Sequence, residues 1–200
     1  MRIKFQDHTR EKGAFLMLEK ERKLQIESEV SKILTNYDFE KNPYVDITAI
    51  VKKDGFTITP QEMELETTGC LFVEENNGKE SNKHILVNTI FKNPDNDEDV
   101  VFKKSRFITA HEYGHFVLHH SFRAHRDTYH RTEPLELEAD YFARSILMPL
   151  DYFSECYKLL QEFIGNDTKY IIELLSKLFR VTKNKVAKRI NDIKELAPQN

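Results

Sequence analysis

Thr109-Ala110-His111-Glu112-Tyr113-Gly114-His115-Phe116-Val117-Leu118 is the stretch from which the rest of the chain can be read. As a helix it stacks His111 and His115 one above the other on a single face. Two imidazoles at that spacing can grip one Zn²⁺ through bonds of about 2.0–2.1 Å. Glu112 sits about a third of a turn round from His111, outside that grip but within reach of a water on the metal's open side. This is the HExxH pattern, in which the glutamate serves as general base for zinc-assisted hydrolysis. Phe107, Ile108 and Ala110 before it, and Phe116, Val117 and Leu118 after it, keep an apolar helical register. The motif therefore rides on a helix that is otherwise core, where two histidines and a glutamate are costly to desolvate unless something pairs with them. A solvated face carrying polar residues by accident is the competing reading.

A catalytic zinc takes three protein ligands and keeps one position open. The third ligand should come from another element, and the best candidate begins at Glu133-Pro134, with proline in a helix's first turn, and runs to Met148-Pro149. Leu135, Ala139, Phe142, Ala143 and Ile146 form its expected buried stripe. Glu136 and Asp140 repeat the four-residue spacing of the two histidines. Glu136 suits a carboxylate ligand, and Asp140 suits an acceptor for the outer N–H of a zinc histidine. Glu138 is expected to point to solvent. His119 continues the face of His115, while His120, His125 and His130 fall in a polar stretch read as loop. Tyr129, His130, His125 and Tyr141 are the candidate oxyanion or substrate contacts.

Working outward, the chain is one compact domain or one domain with a helical appendage. It has 200 residues, 40% of them hydrophobic, enough to bury a core. A formal charge of −3 gives no bulk attraction to nucleic acid. Cys70 and Cys156 are far apart and make no metal-spacing pair, which fits a reducing compartment. No apolar run approaches the roughly 18–20 residues needed to cross a bilayer. Charged residues from Arg2 to Lys12 break up any leader-like apolar segment. A cytoplasmic protein with no membrane partner is the expectation.

Residues 10–35 read as an amphipathic helix with Leu24, Ile26, Val30 and Ile33 among its apolar positions. Asn42-Pro43 marks a turn, Asp46 caps a short helix, and Gly55 ends it. Phe56–Thr59, Gly69–Val73 and His84–Asn88 read as strands, the last two joined across Asn76-Asn77-Gly78. A small antiparallel sheet is therefore expected before the zinc helix. The acidic run Asn93–Asp99 lacks the glycine and terminal glutamate of a calcium loop and reads as solvated. The zinc helix is expected to follow Phe102–Arg106 and to run to about His120.

At the other end, Tyr170, Ile171, Ile172, Leu174, Leu175, Leu178 and Phe179 make one apolar face. Val181-Thr182 then opens a further helix, a helix-turn-helix-like ending whose Lys183, Lys185, Lys188 and Arg189 could meet phosphates. A packed helix pair with a basic outer face is the commoner case.

Arg106 to His119, together with Glu136 to Ala143 and the closing Ile146-Leu147-Met148-Pro149, resembles the ImmA/IrrE family of metallo-endopeptidases in spacing and order. Tyr113 departs mildly, standing where members usually carry Leu. The resemblance implies zinc held by His111, His115 and Glu136, with Glu112 as base and Asp140 where members carry Asn or Asp. It also implies a protein substrate: a DNA-binding repressor of the helix-turn-helix kind, often encoded nearby in a mobile element, prophage or stress regulon.

The expected architecture is α+β, mostly helical. Residues 1–40 form an N-terminal helical segment, 41–155 the metallopeptidase core, and 156–200 a C-terminal helical subdomain. Three functions compete: a zinc endopeptidase, a zinc-containing module that binds a repressor or toxin without cutting it, and a DNA-binding regulator. The first is favoured because Glu112 has a chemical duty and no evident structural one.

Overall fold

A computed structural model describes residues 18–64, 67–76, 79–90, 97–118 and 134–197. Seven helices and three strands occur among them: α1 (Lys20–Ile33), α2 (Ile47–Lys53), β1 (Phe56–Gln61), β2 (Gly69–Asn76), β3 (Lys79–Asn88), α3 (Glu98–Val117), α4 (Pro134–Leu147), α5 (Leu150–Ile164), α6 (Thr168–Leu178) and α7 (Lys183–Leu196). The mostly helical α+β class is as the sequence suggests.

The sheet is mixed, which corrects the antiparallel sheet expected from the strand pattern. Its order is β1-β3-β2. β2 and β3 pair antiparallel, but β1 pairs parallel with β3, Ile58 opposite Ile85. The reason lies in β3. Its Ile85 and Val87 are buried, so this strand takes the centre and needs a neighbour on each side. The chain must then carry residues 62–68 past β3 to start β2 on the far edge. Asn88, itself buried, holds that crossing. Its amide nitrogen donates to the Glu64 and Thr67 carbonyls at 3.0 and 2.6 Å, and its oxygen accepts from Met63 N at 3.1 Å.

Two helix starts follow local capping chemistry. The Asp46 side chain accepts from Ala49 N at the head of α2. Asp97 accepts from Asp99 N, and Glu98 and Asp99 in the next turn face the positive end of the α3 dipole. So α3 begins well before the expected start and stops at Val117, short of His120. Residues 10–17 of the expected first helix, and 93–96 of the acidic run, lie outside the described residues.

The core joins the sheet to the helices. Ile85, Val87 and Phe56 from the sheet meet Phe107, Ala110 and Tyr113 of α3, Phe142 and Ile146 of α4, and Phe153, Ile171, Leu175 and Phe179 further on. Leu24 and Leu135, expected in buried stripes, are instead among the exposed large apolar residues.

Three buried polar links fix the helices around this core. Arg106 of α3 has no carboxylate against it among its hydrogen bonds. It donates to the carbonyls of Phe179 (3.0 Å), Arg180 (2.9 Å) and Val45 (2.5 Å), closing the end of α6 onto α3. Burial draws its guanidinium down to about 10, and Tyr44 beside it works the other way; it stays charged at neutral pH. Arg180 there takes a left-handed φ of 51° as α6 ends. Glu27 of α1 accepts from Arg189 of α7 at 2.6 and 3.1 Å, and from Tyr141 and Ser145 of α4 at 2.7 and 2.8 Å. Arg144 of α4 holds Asp192 of α7 through two nitrogens at 2.7 and 3.3 Å. These links cross the expected division of the chain at 40/41 and 155/156, and the second of those boundaries falls inside α5.

Two of the four basic residues expected on the outer face of α7 turn inward instead. Arg189 is fully buried against Glu27. Lys185 turns inward to Asp140, and Lys183 pairs with Glu173. Of the four basic residues, Lys183 and Lys188 face solvent as expected. No described helix is long and apolar enough to cross a membrane.

Candidate metal centre

The site is built where α3 and α4 touch. Gly114 makes the approach possible: a Cβ there would lie 2.8 Å from Phe142 Cδ1. Because Gly114 sits between the two histidines of one face, α4 is drawn against the motif itself.

That closeness delivers Glu136 to the histidines. His111 Nε2 is 3.1 Å from His115 Nε2 and 3.1 Å from Glu136 Oε2. His115 Nε2 is 3.2 Å from Glu136 Oε1. A tetrahedral ion with bonds of 2.0–2.1 Å would separate its donors by roughly 3.3 Å. The three donors fit such an ion, and among the described residues they form the one His/Cys/Asp/Glu group able to hold a metal. Two neutral nitrogens and one carboxylate are the donor set of a hydrolytic zinc site with an open position.

Asp140 lies behind His111, with Oδ1 3.2 Å from Nδ1. A proton on Nδ1 leaves Nε2 as the lone-pair donor aimed at Glu136 and His115. Glu112, Glu136 and Asp140 set three carboxylates around His111. Burial alone would lower the His111 pKa, yet its hydrogen bonds to Asp140 and Glu136 and the charge of Glu112 hold it up to about 10. Burial would raise Glu136 and Asp140, yet their histidine contacts keep both carboxyls well below the usual range.

Glu112 faces the sheet side of the motif and is buried. Gly69, at the start of β2, comes so close that a Cβ on it would stand 2.8 Å from Glu112 Oε1 and 2.6 Å from Ile108 Cγ2. The glutamate therefore occupies a slot between α3 and the edge strand.

His111, His115, Glu136 and Asp140 are thus brought together, with Glu112 adjacent. Tyr141 is not part of the group: it is buried, its hydroxyl donates to Glu27, and burial beside that carboxylate raises its pKa strongly. This corrects its candidacy as an oxyanion donor. Glu138, expected in solvent, pairs with Arg22 at 2.6 Å. Tyr129, His130, His125, His119 and His120 lie outside the described residues. Lys185 and Arg144, which flank Asp140 at 3.5 and 4.0 Å, were not legible as part of the centre. Arg144 carried a faint signal, standing four residues after Asp140 on one helix. Tyr113, the mild departure in the motif, has a structural role, since its hydroxyl donates to Asp54 at the end of α2.

No curated protein matches the chain. A peptidase family model, M78, described as the IrrE N-terminal-like domain, matches residues 52–191. The match takes in the sheet, the α3–α4 site and most of α7, well over half of the chain. With that extent of match over this site, the chain belongs to the M78 family of peptidases, the IrrE N-terminal-like domain.

Proposed function

We propose that the protein is a zinc-dependent endopeptidase that hydrolyses a peptide bond in a regulatory protein, a helix-turn-helix repressor by the family resemblance. The observation that carries the reading is the meeting of the His111 and His115 donors of α3 with Glu136 of α4 at 3.1–3.2 Å, with Glu112 on the histidines' own helix. Membership of a peptidase family supports the reaction class. A cytoplasmic setting agrees with the two free cysteines.

When bound, the metal would supply a Lewis acid for the scissile carbonyl and its attacking water. His111, His115 and Glu136 would hold it, and Asp140 would keep His111 in the ligating tautomer. Glu112 would take a proton from the attacking water and return it to the leaving amine. Gly69 leaves the glutamate room to do so without a neighbouring side chain in its slot.

The edge strand supports a peptide substrate. Asn88 N donates to Thr68 O, so Cys70 and Phe72 direct their backbone groups to β3, by the alternation of an antiparallel ladder. Gly69, Leu71 and Val73 therefore direct theirs away from β3. An extended chain can add along that edge by main-chain hydrogen bonds, starting beside Glu112.

The test is incubation of zinc-loaded protein with helix-turn-helix repressors, read by mass spectrometry, beside Glu112→Gln. The expected result is a discrete cut in one of them, absent with the variant, which still binds zinc. Cleavage retained in Glu112→Gln would refute the base assignment. An intact but stably bound repressor would favour a zinc-containing interaction module instead.

A further inference from the structure

Lys185 stands in the first turn of α7, yet its ammonium reaches the metal helices. It lies 3.4 Å from the centroid of the Phe107 ring on α3 and 3.5 Å from Asp140 Oδ2 on α4. Phe107 is one helical turn before His111, on the same row that carries His115. Asp140 uses its other oxygen, Oδ1, on His111 Nδ1 at 3.2 Å. One cation from α7 thus closes the corner between a ring below His111 and the carboxylate behind it.

The helix does not need this lysine to dock. Arg189–Glu27 and Arg144–Asp192 already bind α7 to α1 and α4 with shorter contacts. Burying an ammonium has a cost, seen in Lys185 being drawn down to about 8 mainly by desolvation. Asp140, by contrast, keeps about a third of its side chain open to solvent. Without a cation on Oδ2 that carboxylate can swing outward to water. Arg144 is a poorer anchor, 4.0 Å from Oδ2 and committed to Asp192.

We propose that Lys185 is a positioning residue of the metal centre. By holding Asp140 Oδ2 it keeps Oδ1 on the His111 N–H, and so keeps the His111 ring in the tautomer and orientation that present Nε2 to the ion. The proposal rests on the metal-centre reading above. It extends the centre from the two helices of the motif to a third, near the other end of the chain.

The sign of its effect separates this role from two others. As a bare positive charge near a dication, Lys185 would weaken binding, and its removal would tighten it. As a purely structural group, its removal would lower the stability of metal-free protein and leave affinity alone. As a positioning residue, its removal weakens metal binding while metal-free stability holds. A methionine of similar length can cover Phe107 without a buried charge.

The experiment is a competition titration of Zn²⁺ against a chelating dye, beside the thermal midpoint of chelator-stripped protein. The set is wild type, Lys185→Met, Lys185→Gln, Asp140→Asn and the Asp140→Asn/Lys185→Met double variant. Lys185→Met is expected to bind zinc about tenfold more weakly, at the lower end of the 10–100-fold loss seen for partners of metal ligands. Its metal-free midpoint should stay at or above that of wild type. Lys185→Gln, which keeps a donor for Asp140, should recover most of the affinity. In the Asp140→Asn background the methionine should add nothing further, because the lysine acts through that carboxylate. Equal or tighter zinc binding by Lys185→Met would overturn the proposal, as would a full additional loss in the double variant. Should Lys185→Met not fold, Lys185→Ala takes its place: about a tenfold loss of zinc affinity in folded Lys185→Ala, restored in Lys185→Gln, upholds the proposal, and zinc binding equal to wild type overturns it. Wild type that binds no zinc tightly would overturn the metal-centre reading itself, a separate outcome.

Discussion

Gly114 and Phe142 face one another without room for a methyl group between them: a Cβ on the glycine would fall 2.8 Å from the ring. The distance between the two metal helices is set at this contact. Gly114→Ala should push α4 outward and draw Glu136 off the histidines. The expected cost is about 1–3 kcal/mol of stability, the usual range for overpacking, with zinc affinity reduced at least tenfold. Urea unfolding and a zinc titration check the two effects. Wild-type affinity in the variant would show that Phe142 yields without moving the helix.

Gly69 offers a cleaner separation of chemistry from metal binding. The atoms a methyl group there would meet first belong to Ile108 and the Glu112 side chain. Gly69→Ala is therefore expected to keep zinc affinity within about twofold and to lower kcat by roughly 10²-fold, the scale of a displaced general base. Steady-state cleavage kinetics beside a zinc titration measure both. A lost metal site with intact turnover per bound zinc would contradict this placement of Glu112.

Acid should find the Glu27–Arg189 pair. Burial would raise the Glu27 carboxyl, but Arg189, Tyr141 and Ser145 together hold it below its ordinary value. A depressed carboxyl contributes stability that is fully present above its unfolded pKa, about 4.3, and is lost as pH falls through its folded pKa. The thermal midpoint should accordingly decline below about pH 4.5. Glu27→Gln should flatten that part of the profile. At neutral pH the same variant leaves Arg189 buried beside a neutral amide, at a cost of about 3–5 kcal/mol. Thermal melts across pH 3 to 7 test both claims. An unchanged acid profile in Glu27→Gln would assign the loss to other carboxyls.

Arg106 serves three carbonyls at once, which a lysine cannot do in the same geometry. Arg106→Lys and Arg106→Met are both expected to lose about 2–4 kcal/mol, since buried carbonyls are left unserved in each. Denaturant unfolding gives the values. Full rescue by lysine would mean that charge alone, rather than the planar fork, holds the end of α6.

What could be read from the chain was what repeats at fixed spacing. His111 with His115 and Glu136 with Asp140 are four-residue pairs on helices, and helix geometry alone places each pair on one face. The caps at Asp46 and Gly55 and the strands around Leu71 and Ile85 were legible for the same local reason. What escaped was whatever depends on two distant segments meeting. Strand order hangs on Asn88 reaching back to Met63, Glu64 and Thr67, and no spacing reveals that β3 will come between β1 and β2. The inward turn of Lys185 and Arg189 was hidden because a lysine or arginine on a basic helix looks alike whether it meets solvent or a buried carboxylate. Tyr141 misled for a related reason. It follows Asp140 directly, and one step along a helix swings a side chain about 100° away.

Glu27 and Arg189 lie 162 positions apart and are buried together, as opposite charges. A ribosome delivers the glutamate long before the arginine. Until α7 emerges, the Glu27 carboxylate has Tyr141 and Ser145 of α4 as donors but no cation to offset its burial. Lys185 and Asp192, which contact Asp140 and Arg144, lie on the same late helix. A nascent chain that carries the complete HExxH segment therefore still lacks the helix whose Lys185 contacts Asp140 and whose Arg189 contacts Glu27.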